Sequence, residues 1–174
     1  MNIHLQKPTL DHEAEIRMYV EEFLAAADKR QIPGAGGVED ASSYSEWVLA
    51  KDKLEYRGNI SEDGVLATQF IALDTEDRII GFIQLRHRLN ESLRNIGGHI
   101  SYSIRPSERR KGYGSEMLRL CLGEAAKLNI TSVLVTCDAT NAGSEKVIRT
   151  NGGILENTCI GKTGSLKKRF WIHL

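Results

Sequence analysis

The stretch from Ser101 to Leu122 (SYSIRPSERRKGYGSEMLRLCL) constrains the fold of this chain more than any other. It begins as an alternating apolar run that ends at Ile104 and is broken by Pro106, which has no N–H to donate to a strand partner. A basic cluster and two glycines follow, and the apolar residues then recur at helical spacing. The stretch therefore predicts a strand, a tight turn and an amphipathic helix in direct succession.

The turn has the composition of an anion-binding site. Gly112 and Gly114 carry no side chain, so a ligand can approach the backbone N–H groups closely. The first N–H groups of a helix lack intrahelical partners and, with the helix dipole, attract anions. Three cations in a row, Arg109, Arg110 and Lys111, add to that attraction. The turn predicts a pyrophosphate cradle, and the alternative is a solvated loop with a tight turn.

Two common phosphate-binding motifs are excluded. The dinucleotide fingerprint G-x-G-x-x-G would need a third glycine where the chain has Met117. The P-loop pattern G-x-x-x-x-G-K-[ST] does not occur in the sequence.

Length, apolar runs and cysteines narrow the class of protein. With 174 residues, a single domain over 1–174 is expected. No apolar run approaches the ~20 residues that cross a membrane, and the first residues do not form a signal-peptide pattern. The three cysteines, Cys121, Cys137 and Cys159, have no metal-site spacing, so we expect reduced thiols, a cytoplasmic location and no metal.

Charge is divided unevenly along the chain. Residues 1–87 carry 9 Lys/Arg and 16 Asp/Glu, a net charge of −7, and the second half balances it to zero. A neutral chain is not typical of a nucleic-acid-binding protein, so no such partner is expected. The division suits a second half that binds a polyanion and a first half that binds something neutral or cationic. Solvated helix faces can produce the same division.

Periodicity predicts an α/β (α+β) fold with a mixed, mostly antiparallel central sheet and flanking helices. The expected strands are 2–6, 65–74, 78–89, 97–104, 130–137, 153–161 and 167–174, and the expected helices are 11–29, 43–56, 112–128 and 141–150. The segment 98–138 forms a single β-α-β crossover. The Gly-rich segment 31–42 between the first two helices is a lid, a substrate wall or a plain connection.

The pattern R-x-x-G-x-G at Arg109, Gly112 and Gly114, between a strand and a helix, resembles the acyl-CoA signature of the GNAT superfamily of N-acetyltransferases. The segments GFIQLRHRLN (81–90), GGHISYSIRPSERRKGYG (97–114) and VTCDATN (135–141) are similar to a bacterial subgroup of predicted acetyltransferases. The resemblance is specific over about 79–153. It implies a GNAT-like acyl-CoA acyltransferase fold whose sheet splays between the strands 98–104 and 131–137, with acetyl-CoA in the gap.

The resemblance also implies roles for individual residues. Backbone groups of Tyr102, Ser103 and Ile104 are expected to pair with the pantetheine arm, and the Ile104 amide to stabilise an oxyanion. The pyrophosphate is expected on the amides of Arg110, Lys111, Gly112, Tyr113, Gly114 and Ser115, with Arg109 at the signature position. Asn141 and Ser144 are expected to contact the pantetheine arm.

The chain departs from the family at the residue that protonates the departing thiolate. Many GNAT enzymes have a tyrosine in the helix after the fifth strand, where this chain has Ile148, and Gly153 stands at the aromatic position that follows. Ser144 is a candidate donor or a simple cofactor contact. A thiol is a fair leaving group near neutral pH, so transfer without a dedicated acid also remains open.

A proton must leave the attacking amine, because primary amines have a pKa near ~10. His99 is the first candidate base, since it lies on the strand before the cradle and imidazole titrates near neutrality. The alternative is a structural histidine within the sheet. His87 and Glu91 are weaker candidates, and Cys137 is expected in the core, which disfavours a covalent acyl-enzyme route.

Together these features predict an N-acetyltransferase that passes an acetyl group from acetyl-CoA directly to an amine acceptor, a cationic small molecule or a peptide. The missing tyrosine supports an alternative, a non-catalytic acyl-CoA-binding or regulatory module. A binder of another phosphorylated ligand is a third possibility, and an oligomer is compatible with all three.

Overall fold

A computed structural model describes residues 2–26, 31–56, 58, 64–161 and 164–174. Within these residues the helices are α1 (Glu13–Ala26), α2 (Tyr44–Lys53), α3 (Glu91–Asn95), α4 (Tyr113–Lys127) and α5 (Ala142–Thr150). The strands are β1 (His4–Gln6), β2 (Ala67–Leu73), β3 (Ile79–Arg86), β4 (Ile100–Ile104), β5 (Ser132–Asp138), β6 (Ile154–Ile160) and β7 (Leu166–His173).

The strands form one sheet in the order β1-β2-β3-β4-β5-β7-β6. Every neighbouring pair is antiparallel except β4 and β5, which are parallel and joined through α4. A parallel pair needs a crossover connection, and the amphipathic helix that follows the glycines supplies it. The predicted fold class, a mixed and mostly antiparallel sheet with flanking helices, is confirmed.

The parallel strands β4 and β5 pair over a very short length. The facing residues of β4 and β5 are in register only at Ile100 and Val135. By contrast, β3 and β4 stay in register from Gly81 and Ile104 to Leu85 and Ile100. The sheet therefore opens toward the carboxyl ends of β4 and β5, as the resemblance implies.

Helices cover both faces of the sheet and divide the core in two. On one face α4 buries a stripe that includes Met117, Leu118 and Cys121, and α5 adds Ile148. On the other face α1 and α2 pack aromatic side chains against β3, with Tyr19 edge-on to Phe82. Because β5 is covered on both sides, its central residues are fully buried, as its continuous apolar run predicts.

Two boundaries differ clearly from the prediction. The segment predicted as a polar connection at 90–95 contains α3, because the Asn90 side chain accepts the Leu93 N–H and caps a helical turn. The second helix ends at Lys53 and not at 56. The predicted end of the first helix and part of the connection at 162–166 lie outside the described residues.

Candidate active site

The opening between β4 and β5 exposes backbone hydrogen-bonding groups. The Arg86 N–H donates to the His99 carbonyl, and the Arg105 N–H donates to the Ile80 carbonyl. N–H and C=O groups alternate sides along a strand, so those of Tyr102 and Ile104 point away from β3 and toward the opening. The structure thus brings Tyr102 and Ile104 to the gap in the way the resemblance implies.

A cavity of about 600 Å³ lies at this opening. Its walls come from the segment 31–40, from β4 and the residues before it, from the end of β5 and the start of α5, and from β7. The lining residues are Gln31, Ile32, Pro33, Gly37, Glu39, Asp40, Ile96, Gly97, Ile100, Ser101, Tyr102, Thr136, Cys137, Asp138, Asn141, Ser144 and Lys167.

The segment 31–40 rests directly on β4. A Cβ added at Gly34, whose φ is +79°, would lie 2.4 Å from the Ser101 carbonyl oxygen. The Gln69 side chain holds the turn by donating to the Gly34 carbonyl at 2.6 Å. Only a residue without a side chain allows this approach, and it makes the acidic loop a wall of the cavity.

Two hydroxyl groups meet across the opening. The Tyr102 hydroxyl lies 2.8 Å from Ser144 Oγ, so β4 and α5 are joined by a hydrogen bond between side chains. Burial raises the pKa of Tyr102 to about 12, and the hydrogen bond with Ser144 acts in the opposite direction. Asn141 caps α5 by accepting the Ser144 N–H at 3.0 Å, which orients Ser144 toward Tyr102.

The position of the missing tyrosine is filled by the core. Ile148 is fully buried, and a Cβ at Gly153 would lie 2.4 Å from Ile148 Cγ2. An aromatic side chain at 153 has no room beside Ile148. Tyr102 and Ser144 are two of the hydroxyl-bearing residues that line the cavity, and they are hydrogen-bonded to each other.

The residues of the predicted cradle form a turn before α4. Gly112 is the N-cap residue, with φ of +90°, and Arg110 has φ of +62°. The N–H groups of Ser115 and Glu116 both donate to the Gly112 carbonyl. The amides that precede Ser115 belong to the first turn, whose N–H groups have no intrahelical acceptor.

Gly114 and two of the three cations of the predicted cradle also make contacts within the protein. Gly114 is buried, and a Cβ there would lie 3.1 Å from a Val147 methyl group, so it brings α4 close to α5. Arg109 donates to the Ile104 carbonyl at 3.2 Å and covers the Phe23 ring. Lys111 pairs with Glu108 at 3.0 Å, while Arg110 is exposed.

Two predicted residues are not brought to the gap. Ser103 faces β3, opposite Phe82, and its hydroxyl lies 3.0 Å from that of Tyr19 on the other face of the sheet. His99 is buried, and its ring Nδ1 accepts the Leu134 N–H at 2.9 Å. The backbone N–H of His99 donates to the Leu134 carbonyl. It lies outside the cavity wall. His99 as the base stays a prediction, and this geometry favours its alternative, a structural histidine.

The weaker candidates are also accounted for. His87 bonds to the Thr68 hydroxyl at 2.8 Å, and neither His87 nor Glu91 lines the cavity. Cys137 is buried and forms part of the cavity wall, and burial raises the pKa of its thiol. A protonated thiol is a weak nucleophile.

The sequence analysis did not single out the charged residues of the cavity. Glu39 and Asp40 come from the acidic loop, whose composition was the only local signal. Asp138 and Lys167 form an ion pair between neighbouring strands. Nothing in the local sequence links the loop residues to Asp138 and Lys167, because about a hundred residues or more separate the two pairs.

Among the residues that the structure describes, no three His, Cys, Asp or Glu side chains are grouped so that they could hold a metal ion. In the same part of the chain no helix is both long enough and apolar enough to cross a membrane.

Comparison with known proteins identifies the architecture. A family model described as an acetyltransferase (GNAT) domain matches residues 3–154. No curated protein sequence matches the chain.

Solved structures of acetyltransferases have the same fold. One, from Salmonella typhimurium, modifies the N-terminal serine of a 50S ribosomal subunit protein; its TM-score is 0.71 at 16% identity, over 100% of this chain and 96% of that one. Ribosomal-protein-S5-alanine acetyltransferase from Vibrio fischeri has a TM-score of 0.74 at 14% identity, over 99% and 93% of the two chains. A spermidine N-acetyltransferase chimera from Vibrio cholerae and hSSAT has a TM-score of 0.68 at 14% identity, over 99% and 96%. At such identities the likeness shows the fold alone.

Proposed function

Since this chain belongs to the GNAT acetyltransferase family, we propose that it transfers an acetyl group from acetyl-CoA to an amine, with the donor in the gap between β4 and β5. The acceptor then attacks the thioester directly, in a complex that holds both substrates. The three cysteines are free thiols, which supports the further proposal that the enzyme works in the cytoplasm.

The observation that carries this proposal is the opening of the sheet onto the cavity. Among the described residues, no strand pairs with the outward-facing backbone groups of Tyr102 and Ile104 at the opening, although the Ile104 carbonyl accepts from Arg109. An extended amide chain such as pantetheine can take the place of the missing strand pairing. The proposed cradle, residues 109–115, lies in the turn that joins β4 to α4. Its N–H groups and cations are suited to a pyrophosphate.

The same backbone supplies the electrophilic assistance. As the amine attacks, the carbonyl oxygen of the thioester gains negative charge. A preorganised N–H on the gap side of β4, at Ile104, is suited to stabilise that oxyanion. Removal of one oxyanion-hole donor from an acyl-transfer enzyme costs ~10²–10³-fold in kcat.

We assign protonation of the departing thiolate to the hydroxyl pair. Tyr102 and Ser144 both line the cavity and are hydrogen-bonded to each other. Ser144 lies in the first turn of α5, where the helix dipole favours a developing anion. Ser144 can hold the Tyr102 hydroxyl in place while Tyr102 donates.

A non-catalytic acyl-CoA-binding module is the second candidate, and Ile148 in place of the family's tyrosine is the observation that favours it. It has the same gap and cradle, so the two candidates differ only in turnover.

Release of coenzyme A thiol from acetyl-CoA distinguishes these candidates. The purified chain is incubated with acetyl-CoA and a panel of amines that includes an alkyl diamine, an amino-acid amide and a short peptide with a free N-terminus. We expect thiol release and the acetylated product with at least one amine, and a rise in melting temperature with coenzyme A alone.

Each result has a distinct meaning. A thermal shift with coenzyme A but no turnover on any amine favours the non-catalytic module. The absence of a thermal shift with coenzyme A overturns both and favours a different phosphorylated ligand.

A further inference from the structure

One face of α1 contacts the turn after β4. This turn contains a 3₁₀ segment (Pro106–Glu108) and leads from the strand to the proposed cradle. Residues three and four apart lie on the same side of a helix, and four residues of α1 with this spacing contact the turn. They are Glu15, Tyr19, Glu22 and Phe23. The turn is therefore docked on a helix of the first half of the chain.

Glu22 contacts the backbone of the turn. Its Oε1 accepts the Ser107 N–H at 2.8 Å, and its Oε2 lies 3.4 Å from Arg105 Nε. A hydrogen bond to a charged acceptor is stronger than one between neutral groups. One carboxylate thus holds both the backbone of the turn and the side chain at its start.

Arg105 strengthens this attachment because it is buried. Its side chain is 1% exposed, and it lies 3.4 Å from both Glu15 and Glu22. The guanidinium also lies over the Tyr19 ring, 5.6 Å from its centroid. A cation removed from water needs nearby anions, and the loss of one partner from a buried ion pair is strongly unfavourable. The charge of Glu22 is balanced in the same way, so it does not act as a free anion beside the cradle.

The end of β4 is held by the sheet and not by α1. Ile104 is in register with Gly81 of β3, and the Arg105 N–H donates to the Ile80 carbonyl. These contacts fix the Ile104 amide without any help from Glu22.

Side chains take over the support of the chain beyond Arg105. In the part of the chain that the structure describes, no strand pairs with residues 106–112. Glu22 holds the turn on one side, and Glu108 pairs with Arg78 at 2.6 Å and with Lys111 at 3.0 Å. The position of the cradle relative to the gap therefore depends on carboxylates, whereas the position of the strand end depends on β3.

Resting on the acetyl transfer proposed above, we propose that Glu22 is a positioning residue for the acyl donor: it holds the cradle where the cradle meets the pyrophosphate of acetyl-CoA bound in the gap. Glu22 does not line the cavity and acts through Ser107 and Arg105. An acidic residue of the first half of the chain would thus serve the site of the polyanion.

Two donors that share a thioester test this role. Acetyl-pantetheine has the reacting end of acetyl-CoA and lacks its pyrophosphate, so it uses the gap and not the cradle. In E22A, which loses both contacts of the carboxylate, we expect kcat/KM for acetyl-CoA to fall by ~10–10²-fold, because a misplacement of about 1 Å can cost that much. We expect kcat/KM for acetyl-pantetheine and KM for the amine to change little.

Two glutamine variants provide the controls. E22Q keeps an oxygen for the Ser107 N–H and loses only the ion pair with Arg105, so its loss with acetyl-CoA should be smaller than that of E22A. E13Q is the matched control on the same helix. Glu13 pairs with Arg17 where 45% and 64% of their side chains are exposed, and such a pair contributes little. E13Q should therefore react with both donors as the wild-type chain does.

The ratio of the two kcat/KM values separates positioning from stability. A lower folded fraction reduces the rates with both donors equally and leaves their ratio unchanged. The wild-type ratio in E22A, or the same selective loss in E13Q, would overturn the role of Glu22 and leave acetyl transfer standing.

Direct binding of coenzyme A tests Glu22 apart from turnover. The dissociation constant of coenzyme A, measured by calorimetry, should rise in E22A by the same factor by which kcat/KM falls, and it should be unchanged in E13Q. Coenzyme A that binds E22A as tightly as the wild-type chain would overturn the role of Glu22. A wild-type chain that binds coenzyme A but acetylates no amine would instead overturn acetyl transfer.

Discussion

At the scale of single residues, the hydrogen bonds of His99 favour a structural role over the predicted role as the base. The His99 ring accepts the Leu134 N–H, and the His99 backbone N–H donates to the Leu134 carbonyl. His99 therefore links the start of β4 to β5, beside the paired residues Ile100 and Val135. Burial, with Arg86 and Arg94 nearby, lowers the pKa of His99 from 6.5 to about 4. The imidazole is therefore neutral when it accepts that hydrogen bond.

This depressed pKa predicts a loss of stability in acid. Between about pH 6.5 and 4 the unfolded chain binds a proton at His99 that the folded chain does not, so the free energy of unfolding falls as the pH drops through this window. The slope is at most about 1.4 kcal/mol per pH unit. His99→Asn keeps an acceptor for Leu134 without titrating, so we expect a flatter dependence of the urea midpoint on pH.

The same variant tests the catalytic hypothesis. An unchanged fall in stability would contradict the structural role of His99. If His99→Asn also removes the pH dependence of kcat/KM while the fold is intact, His99 acts as the base.

Tyr102 is the second residue whose role depends on its partner. Tyr102→Phe removes the hydroxyl next to Ser144 and the proposed proton donor for the thiolate. We expect kcat to fall by ~10²-fold with little change in KM for acetyl-CoA, and we expect acyl donors with a more acidic thiol to recover part of the loss. The raised pKa of Tyr102 keeps the donor protonated well above neutral pH.

A matched tyrosine–serine pair provides the control. Tyr19 and Ser103 bond at 3.0 Å on the opposite face of the sheet, where Tyr19 is fully buried. Tyr19→Phe should lower stability by about 1 kcal/mol and leave kcat nearly unchanged. Equal losses of kcat in the two variants would show that Tyr102 acts only through the fold.

At the scale of elements, the two glycines at the start of α4 have different structural roles, although they belong to one sequence motif. Gly112 takes the left-handed conformation that begins the helix, whereas Gly114 serves the packing of α4 on α5. The proposed anion site would therefore depend on Gly112 and the neighbouring amides, and its position relative to the gap would depend on Gly114.

Substitutions on this helix test that division. Gly112→Leu places a large side chain at a φ of +90° beside the amides, so we expect the thermal shift with coenzyme A to disappear. Gly123→Ala is the control within the same helix, because a Cβ there meets nothing within 4 Å. It should raise stability by ~0.5–1 kcal/mol and keep the shift. A folded Gly112→Leu variant with an unchanged shift would contradict the cradle.

At the scale of the whole molecule, some charges of the basic second half form ion pairs with charges of the acidic first half. Arg105 is 1% exposed and lies 3.4 Å from both Glu15 and Glu22 of α1. Arg78 and Glu108 pair at 2.6 Å in the same region. Charges that looked free for ligands in the sequence thus stabilise contacts between α1 and the turn after β4.

The sequence by itself determined the strand, turn and helix of 101–122, the order of the strands along the chain and the family. These features depend on hydrophobic periodicity, glycine conformations and helix-terminal N–H groups. Each of these acts over a few residues and can be predicted from a short stretch of sequence. The backbone groups at Tyr102 and Ile104 could be predicted for the same reason, because alternation along a strand is a local property.

Only the tertiary structure decided which side chains meet at the gap. The segment 31–40 reaches β4 because Gly34 allows a close approach, and Tyr102 meets Ser144 where β4 and β5 diverge after Ile100. These partners are tens of residues apart, and no periodicity relates them. Strand divergence and loop packing are collective results of how two cores fill the two faces of one sheet, and they place the chemistry of this protein where the sheet opens.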